Sequence, residues 1–293
     1  MATPIVLTRL DPRYPSRLSG FAGAPASMSW QGGSLEADRV VAIVGARCAR
    51  DDSLSFTTEI AGALARTGAV VVSGGATGID SAAHAGALHC GGRTWAVAGT
   101  GPDHCYPPCN AGLFEAIARG PGAMLWPFDG GGRRGAFLAR NHVLVALADA
   151  VVVVQAGLKS GALHAASCAR RLSKPLWVVP ASPWMAEFAG SLQLLETGAR
   201  ALTSLELLLR SLGGPPDASV SPRTSALITI DLSPCEISVL EAVSEGPLHV
   251  DAIVARAKQS AQAVNAALLT LALENVVVEG PPGLFRRRAP LSR

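Results

Sequence analysis

The sequence predicts an α/β protein: a doubly wound, mainly parallel sheet covered by helices, followed by a small second unit. Three observations carry this reading. Short apolar runs such as Val40–Val44 and Ala150–Val154 alternate with segments of helical character. The runs are continuously apolar rather than alternating, which marks strands buried on both faces. A stretch rich in Gly, Pro and Ser, residues 213–224, separates this pattern from a shorter, helical one.

The elements follow in order. Residues 1–35, with Pro4, Pro12, Pro15 and Pro25, read as an irregular lead-in. Val40–Val44, bounded by Gly45, is the first buried strand. Ser53 is the expected N-cap of a helix running to Arg66. Ala69–Ser73 is the second strand, followed by a Gly-rich turn and a helix over about Ser81–Leu88. Thr94–Ala98 is the third strand. Asn110 is expected to cap a helix to about Ala118. Ala136–Leu147 reads as helix, Ala150–Gln155 as strand, Ser160–Leu172 as helix and Leu176–Val179 as strand. The first domain thus spans 36–210 and the linker 211–226.

A second domain, 227–288, is expected beyond the linker. Ser233 caps Pro234–Ser244, Val250–Ala257 follows, and Ser260 caps a third helix to about Leu273. Val276–Val278 and Leu284–Arg286 close a hairpin around Gly280–Gly283. Three helices and a two-stranded ribbon are the pattern of a winged helix.

Composition narrows the function classes. The 293 residues are 49% hydrophobic and only 16% charged, with a formal net charge of +3. Disordered chains show the opposite balance. A bilayer span needs about 20 apolar residues, and the longest runs here are strand-length. The first ten residues lack the basic and apolar regions of a secretory signal, so a cytoplasmic protein is expected. His104, Cys105 and Cys109 approach metal-ligand spacing, but no second Cys/His pair completes a site. The six Cys are expected as free thiols, with no metal and no cofactor. Residues 1–210 hold eighteen Lys and Arg against fourteen Asp and Glu. Bulk charge is small, so any nucleic-acid affinity must come from placed arginines and backbone dipoles.

Ligands of open parallel sheets bind at the C-terminal strand ends, and here those ends carry Gly-rich loops. They are Gly45-Ala46-Arg47, Ser73-Gly74-Gly75-Ala76-Thr77-Gly78, Gly99-Thr100-Gly101 and Lys159-Ser160-Gly161. Glycines let backbone N–H groups approach an anion, and a following helix N-terminus adds a positive dipole. One such loop is an ordinary tight turn; four on one edge describe a phosphate-lined groove. Arg47 projects into that groove, where a guanidinium grips phosphate in a bidentate way. Arg140 and Asn141, near a helix start, are placed to do the same, whereas Arg133 and Arg134 read as exposed loop residues. Asp80 and His84, four apart, share a helix face. They form either an acid–base pair or, in the favoured reading, structural support for the Gly-rich turn. Tyr106 and Phe137 are candidates for base stacking, while Trp95, Trp126 and Trp177 read equally well as core. No nucleophile elbow and no P-loop occur.

Taken together and in order, these loops resemble the DprA/Smf family of DNA-processing proteins. The matching segments are Val44-Gly45-Ala46-Arg47, Ser73-Gly74 through Ile79-Asp80, Ala83-His84, Gly91-Gly92-Arg93-Thr94 and Gly99-Thr100-Gly101. They continue with Tyr106-Pro107, Phe137, Arg140-Asn141, Ser160-Gly161-Ala162-Leu163 and Gly198-Ala199, with Tyr14-Pro15 in the lead-in. The resemblance covers about residues 12–204, and the terminal unit is similar to the winged helix of many members. It implies a Rossmann-like domain that binds single-stranded DNA without enzymatic turnover. It also implies a homodimer that protects incoming DNA and loads RecA recombinase during natural transformation. On this basis Arg47 is expected to contact DNA, with the Ser73–Gly78 turn, Arg140-Asn141 and Ser160-Gly161 lining the same pocket. The sequence departs from the family pattern at His142, at His164-Ala165, at Gln155 in place of glutamate, at Leu125-Trp126 and at Pro108. These changes are expected to remove polar or charged groups from the groove edge.

Two other readings belong to different classes. A nucleotide-binding enzyme or sensor would use the same loops, with Asp80 and His84 as acid and base. It lacks the Pro-Gly-Gly-x-Gly-Thr loop that such enzymes more often carry. A duplex-reading winged helix would place Ser260–Leu273 in the major groove. That helix offers Gln262, Asn265 and Thr270 but no arginine or lysine beyond its neighbour Lys258, and the only basic cluster is Arg286–Arg288.

Overall fold

A computed structural model describes residues 3–128, 134–212, 233–243, 246–273, 276–280 and 283–287. The chain divides into two units, Met1–Pro222 and Arg223–Arg293. The expected linker lies almost wholly outside the described residues.

In the first unit β1 (Ile5–Thr8), β2 (Ser27–Gly32) and β3 (Val40–Val44) precede α1 (Asp51–Arg66). Then come β4 (Val70–Ser73), α2 (Ile79–His89), β5 (Thr94–Val97), α3 (Ala111–Arg119), β6 (Ala123–Trp126) and α4 (Arg134–Leu147). The unit continues with β7 (Ala150–Val153), α5 (Gly161–Arg171), β8 (Leu176–Val178), α6 (Ala189–Glu196), β9 (Arg200–Ala201) and α7 (Leu205–Ser211). The nine strands form one sheet in the order β1-β2-β6-β5-β4-β3-β7-β8-β9. From β6 through β9 every pairing is parallel, as the continuously apolar runs predict.

The side-chain alternation of a strand builds two cores from one sheet. Val40, Ala42 and Val44 of β3 pack on one face with Val143–Ala148 and the alanine-rich face of α5. Val41 and Ile43 point to the other face, onto Ile60 and Leu64 of α1 and Ile79, Ala83 and Ala87 of α2. Trp95, Trp126 and Trp177 are all buried.

The lead-in differs from its expectation. Residues 1–35 are not irregular: β1 and β2 pair antiparallel with each other, and β2 with β6. Their sequences hide this because these antiparallel strands at the sheet edge do not need apolar side chains throughout. In β1 only Leu7 is buried. Tyr14, whose hydroxyl donates to the Pro25 carbonyl at 2.7 Å, fills the space beneath. Arg17 fastens the segment to the sheet, pairing with Asp149 Oδ1 at 2.5 Å and donating to the Ala37 and Asp38 carbonyls.

Two caps also differ. Helix α1 begins at Asp51, with Arg50 at the N-cap position, so Ser53 lies buried inside the first turn. Asp51 and Asp52 occupy that turn, where carboxylates favour the helix dipole. Asn110 stands at the N-cap of α3, but its side chain does not cap it. Ser160 does cap α5, accepting from Ala162 N.

The second unit comprises α8 (Pro234–Ala242), β10 (Leu248–His249), α9 (Val250–Ala257), α10 (Ala261–Leu273), β11 (Val277–Glu279) and β12 (Leu284–Arg287). Ser233 and Glu236 form a reciprocal capping box at α8. The expected two-stranded ribbon is a three-stranded sheet, because Leu248 and His249 pair with Phe285 and Leu284 of β12. Val239, Ile253, Val264, Leu268 and Leu271 make a separate core. Gln262, Asn265 and Thr270 are exposed on α10.

Candidate nucleic-acid interface

The strand order reverses between β3 and β7: the chain runs outward from β3 through β4, β5 and β6, then returns to the other side of β3. A crevice is expected outside the carboxyl ends of the strands at such a point. A cavity of about 830 Å³ opens there, between the Val44–Cys48 loop, the first turns of α4 and the Gly157–Ala162 loop.

Both loops are held from behind. Ala46 N donates to the Gln155 carbonyl at 2.8 Å, and the Gln155 side-chain oxygen accepts from Arg50 N at 3.0 Å. Gln155 is buried, so this amide ties the turn that carries Arg47 to the end of β7. Ser191 does the same for the second loop: its hydroxyl accepts from Ala156 N at 2.9 Å, and its own N–H donates to the Ala156 carbonyl. Sequence reasoning assigns neither role. A polar residue directly after an apolar strand was the available signal for Gln155; Ser191 left none.

Arg47 is exposed and lines the cavity, with its guanidinium 5.8 Å from the Phe137 ring centroid. Phe137 in turn lies 5.5 Å from the half-exposed Tyr106 ring. Phe137 lines the cavity and packs against Gly99; Tyr106 and Gly101 stand outside the cavity lining. Lys159 is exposed on the opposite rim, beside Ser160 and Gly161 at the N-terminus of α5. Asn141 also lines the cavity and donates to the Gly161 carbonyl at 3.4 Å, bridging α4 to α5.

Arg140 is the unusual group. It lines the cavity yet is only 5% exposed, and its Nε has no hydrogen-bond partner. Burial lowers its pKa and the Arg47 charge opposes it too, while Asp80 pulls the other way. Asp80 is equally buried. Burial pushes its carboxyl up from the usual carboxylate range. The Arg140 charge and the Ala76 and Gly74 N–H groups pull it back. Gly74 leaves room for Arg140, since a Cβ there would coincide with the guanidinium and displace it. Gly78, at φ 76°, is required twice over: its conformation favours glycine, and a Cβ would strike the Ala46 and Arg47 carbonyls.

Ser73 and the glycines of the Ser73–Gly78 turn therefore face inward, and the turn reaches the cavity through Ala76. Ser73 Oγ donates to the Ile43 carbonyl at 2.6 Å, and neither Ser73, Gly74, Gly75 nor Gly78 lines the cavity. Asn110 braces the turn, donating to the Gly75 carbonyl at 2.9 Å and to Ser81 Oγ at 2.8 Å. Of the four glycine-rich edges, the first and last line the groove through Gly45 and Gly161, and the second through Ala76 alone. The middle two carry glycine for close packing of the chain against itself. His84 is fully buried and contacts Thr94 Oγ1 at 2.7 Å through Nδ1. Burial and the Arg140 charge lower its pKa to about 3, so it is neutral at physiological pH.

The departures from the family pattern scatter. Gln155 and His164 line the cavity. Leu125 and Trp126 are core residues of β6, and Pro108 is exposed in a short 3-10 turn, so these three are not groove-edge positions. His142 faces a second, smaller cavity. Arg133 and Arg288 lie outside the described residues. All six cysteines are free, and no helix among the described residues is long and apolar enough to cross a membrane.

Residues 5–213 match the family model described as DNA recombination-mediator protein A, and residues 222–283 match the DprA winged helix domain. The Smf protein of Synechocystis is 34% identical over 97% of this chain and 80% of its own length. A DprA protein of Mycobacterium tuberculosis is 37% identical over 74% of this chain, which spans 56% of that relative's length. The solved DNA processing protein A of Helicobacter pylori, reported for its single-stranded DNA binding mode, superposes with a TM-score of 0.64 at 32% identity. It covers 72% of this chain and 95% of its own. This chain therefore belongs to the DNA recombination-mediator protein A family and carries that family's winged helix.

Proposed function

We propose that this protein binds single-stranded DNA in the cavity at the β3/β7 switch point and acts as a recombination mediator. The observation that carries the proposal is the charge arrangement of that cavity. Exposed Arg47 and Lys159 stand on opposite rims, the unpaired Nε of buried Arg140 belongs to its wall, and the α5 N-terminus opens between them. Of the two acids in its lining, Glu187 is paired with Arg50 at 3.2 Å and Asp80 is buried and offset by the Arg140 charge. Such a site grips phosphate oxygens and carries no sequence information. The exposed Tyr106 ring offers a stacking face at the groove's end.

Family membership supports the finer parts of the proposal: a cytoplasmic homodimer that hands single strands to RecA recombinase during transformation. It involves no turnover. The acid and base that a nucleotide-processing enzyme would use are buried and engaged, Asp80 accepting from the Ala76 N–H and His84 contacting Thr94.

Fluorescence anisotropy with a labelled single-stranded oligonucleotide tests the core of this reading, alongside duplex and mononucleotide controls over a salt series. Binding should favour the single strand and weaken linearly in log salt. Arg47→Ala should weaken every sequence alike and reduce the slope by about 0.7 for each phosphate that the guanidinium neutralises. Unchanged affinity and slope would remove Arg47 from the interface. Tight mononucleotide binding without single-strand binding would replace the whole reading with a nucleotide sensor.

A further inference from the structure

At the edge of the groove, whose lining includes His164, three metal-ligating side chains converge where α4 meets α5. His142 lies on α4; His164 and Cys168 stand one turn apart on α5. A nitrogen of each imidazole and Cys168 Sγ all lie within 4.8 Å of one another. The imidazole centroids are 5.1 Å apart, and His164 Nδ1 is 3.7 Å from Sγ. A tetrahedral zinc ion, about 2.0–2.1 Å from nitrogen and 2.3 Å from sulfur, holds those two atoms roughly 3.6 Å apart. The His164–Cys168 pair already has that spacing. A cavity of about 370 Å³, lined by His142, Cys168 and Arg171, gives access from solvent.

A second observation shows where the lone pairs point. Arg171 Nη2 lies 2.8 Å from His142 Nε2 and donates to Cys168 Sγ at 3.4 Å. Arginine has only donors, so His142 Nε2 is the accepting, unprotonated nitrogen. One cationic N–H group thus sits where the His142 and Cys168 lone pairs meet. Arg171 is exposed at the last turn of α5 and is free to swing into water.

We propose that His142, His164 and Cys168 form a binding site for a divalent transition cation of the zinc class, with Arg171 as the competing occupant. Three protein ligands leave the fourth position for water. The metal displaces the Cys168 thiol proton to solvent and forms the sulfur–metal bond. A neutral imidazole binds through the lone pair of its unprotonated nitrogen and releases none. One proton leaves per metal bound. The ion would clamp α4 to α5 directly behind Arg140 and Asn141. The His104, Cys105 and Cys109 set singled out by spacing does not form such a group; the tertiary structure assembles a different one.

Cobalt(II) titration of the reduced full chain tests this without DNA. The expected result is a thiolate-to-cobalt charge-transfer band with tetrahedral d–d absorption, saturating at one equivalent and erased by zinc. His142→Gln and Cys168→Ser should each weaken binding at least about a hundredfold, beyond the roughly 10–100-fold cost of losing an outer partner. Arg171→Gln should tighten it several-fold, and Cys105→Ser/Cys109→Ser should leave it unchanged. Because His142 is partly exposed, its substitution reports even if Cys168→Ser misfolds. Absence of the band, or a band that follows Cys105 and Cys109 instead, overturns the proposal. So does weaker binding in Arg171→Gln.

Discussion

His84 shows how one hydrogen atom's position follows from its neighbours. Thr94 Oγ1 donates to the Val71 carbonyl at 2.8 Å, so its oxygen is left to accept from His84 Nδ1–H. The ring is therefore a neutral imidazole with the proton on Nδ1, and its buried Nε2 is unpartnered. A pKa lowered to about 3 from 6.5 has a definite sign in stability. Between those values the unfolded chain binds the proton and the folded chain does not, so stability falls as pH drops through that window. From pH 7 to pH 5 the loss from this residue is about 2 kcal/mol, and urea unfolding of His84→Gln should show a correspondingly shallower pH dependence. An equal dependence in both proteins would show that His84 is not the titrating group. At this scale the sequence singled out Arg47 and Arg140, both of which line the cavity, but not that one is exposed and the other buried. Burial of a side chain on a helix depends on what packs against it.

At the scale of elements, the groove is made by how two loops are held rather than by the loops' own composition. Gln155 joins them: its backbone carbonyl accepts from Ala46 and its side-chain oxygen from Arg50. Gln155→Leu removes the side-chain acceptor and leaves the Arg50 N–H unsatisfied, at a cost of about 1–3 kcal/mol. Single-strand affinity should fall with it, because the turn carrying Arg47 loosens. Gln155→Glu keeps an acceptor oxygen and should retain far more of that affinity. Paired denaturation and anisotropy measurements separate the two variants. The replacement of glutamate by glutamine at 155 thus preserves the acceptor. The helix starts at Ser160 and Ser233 were legible because those hydroxyls cap as their spacing predicts. The start at Ser53 was not, because an aspartate pair just ahead of it takes the first turn.

Across the molecule as a whole, the two units have separate cores: the sheet-facing clusters on one side of the linker, Val239 to Val277 on the other. A chain ending at Leu212 should therefore fold and melt at the same temperature as the first unit of the full protein, and keep its single-strand affinity. Calorimetry and anisotropy on the two proteins check this. A lower melting temperature or lost affinity would make the winged helix part of the first unit's stability or of its DNA site. The exposed face of α10, with Gln262, Asn265 and Thr270 but no basic residue, agrees with a minor role in phosphate binding.

The parallel sheet, the winged-helix pattern, the family and the edge on which the cavity opens were all legible in the residues alone. Each depends on local signals: continuous apolar runs, glycine at strand ends, capping serines and the order of short motifs. Other features arise only when distant segments meet. Strands β1 and β2 needed a partner edge in β6, which no local pattern reveals. Whether a glycine lines the cavity or packs against the chain depended on the approach of Arg140 to Gly74 and of Phe137 to Gly99. The pairing of His142 with His164 and Cys168 required two helices to pack side by side. Local energetics fix which element a segment forms; contacts between distant segments fix which side chains meet.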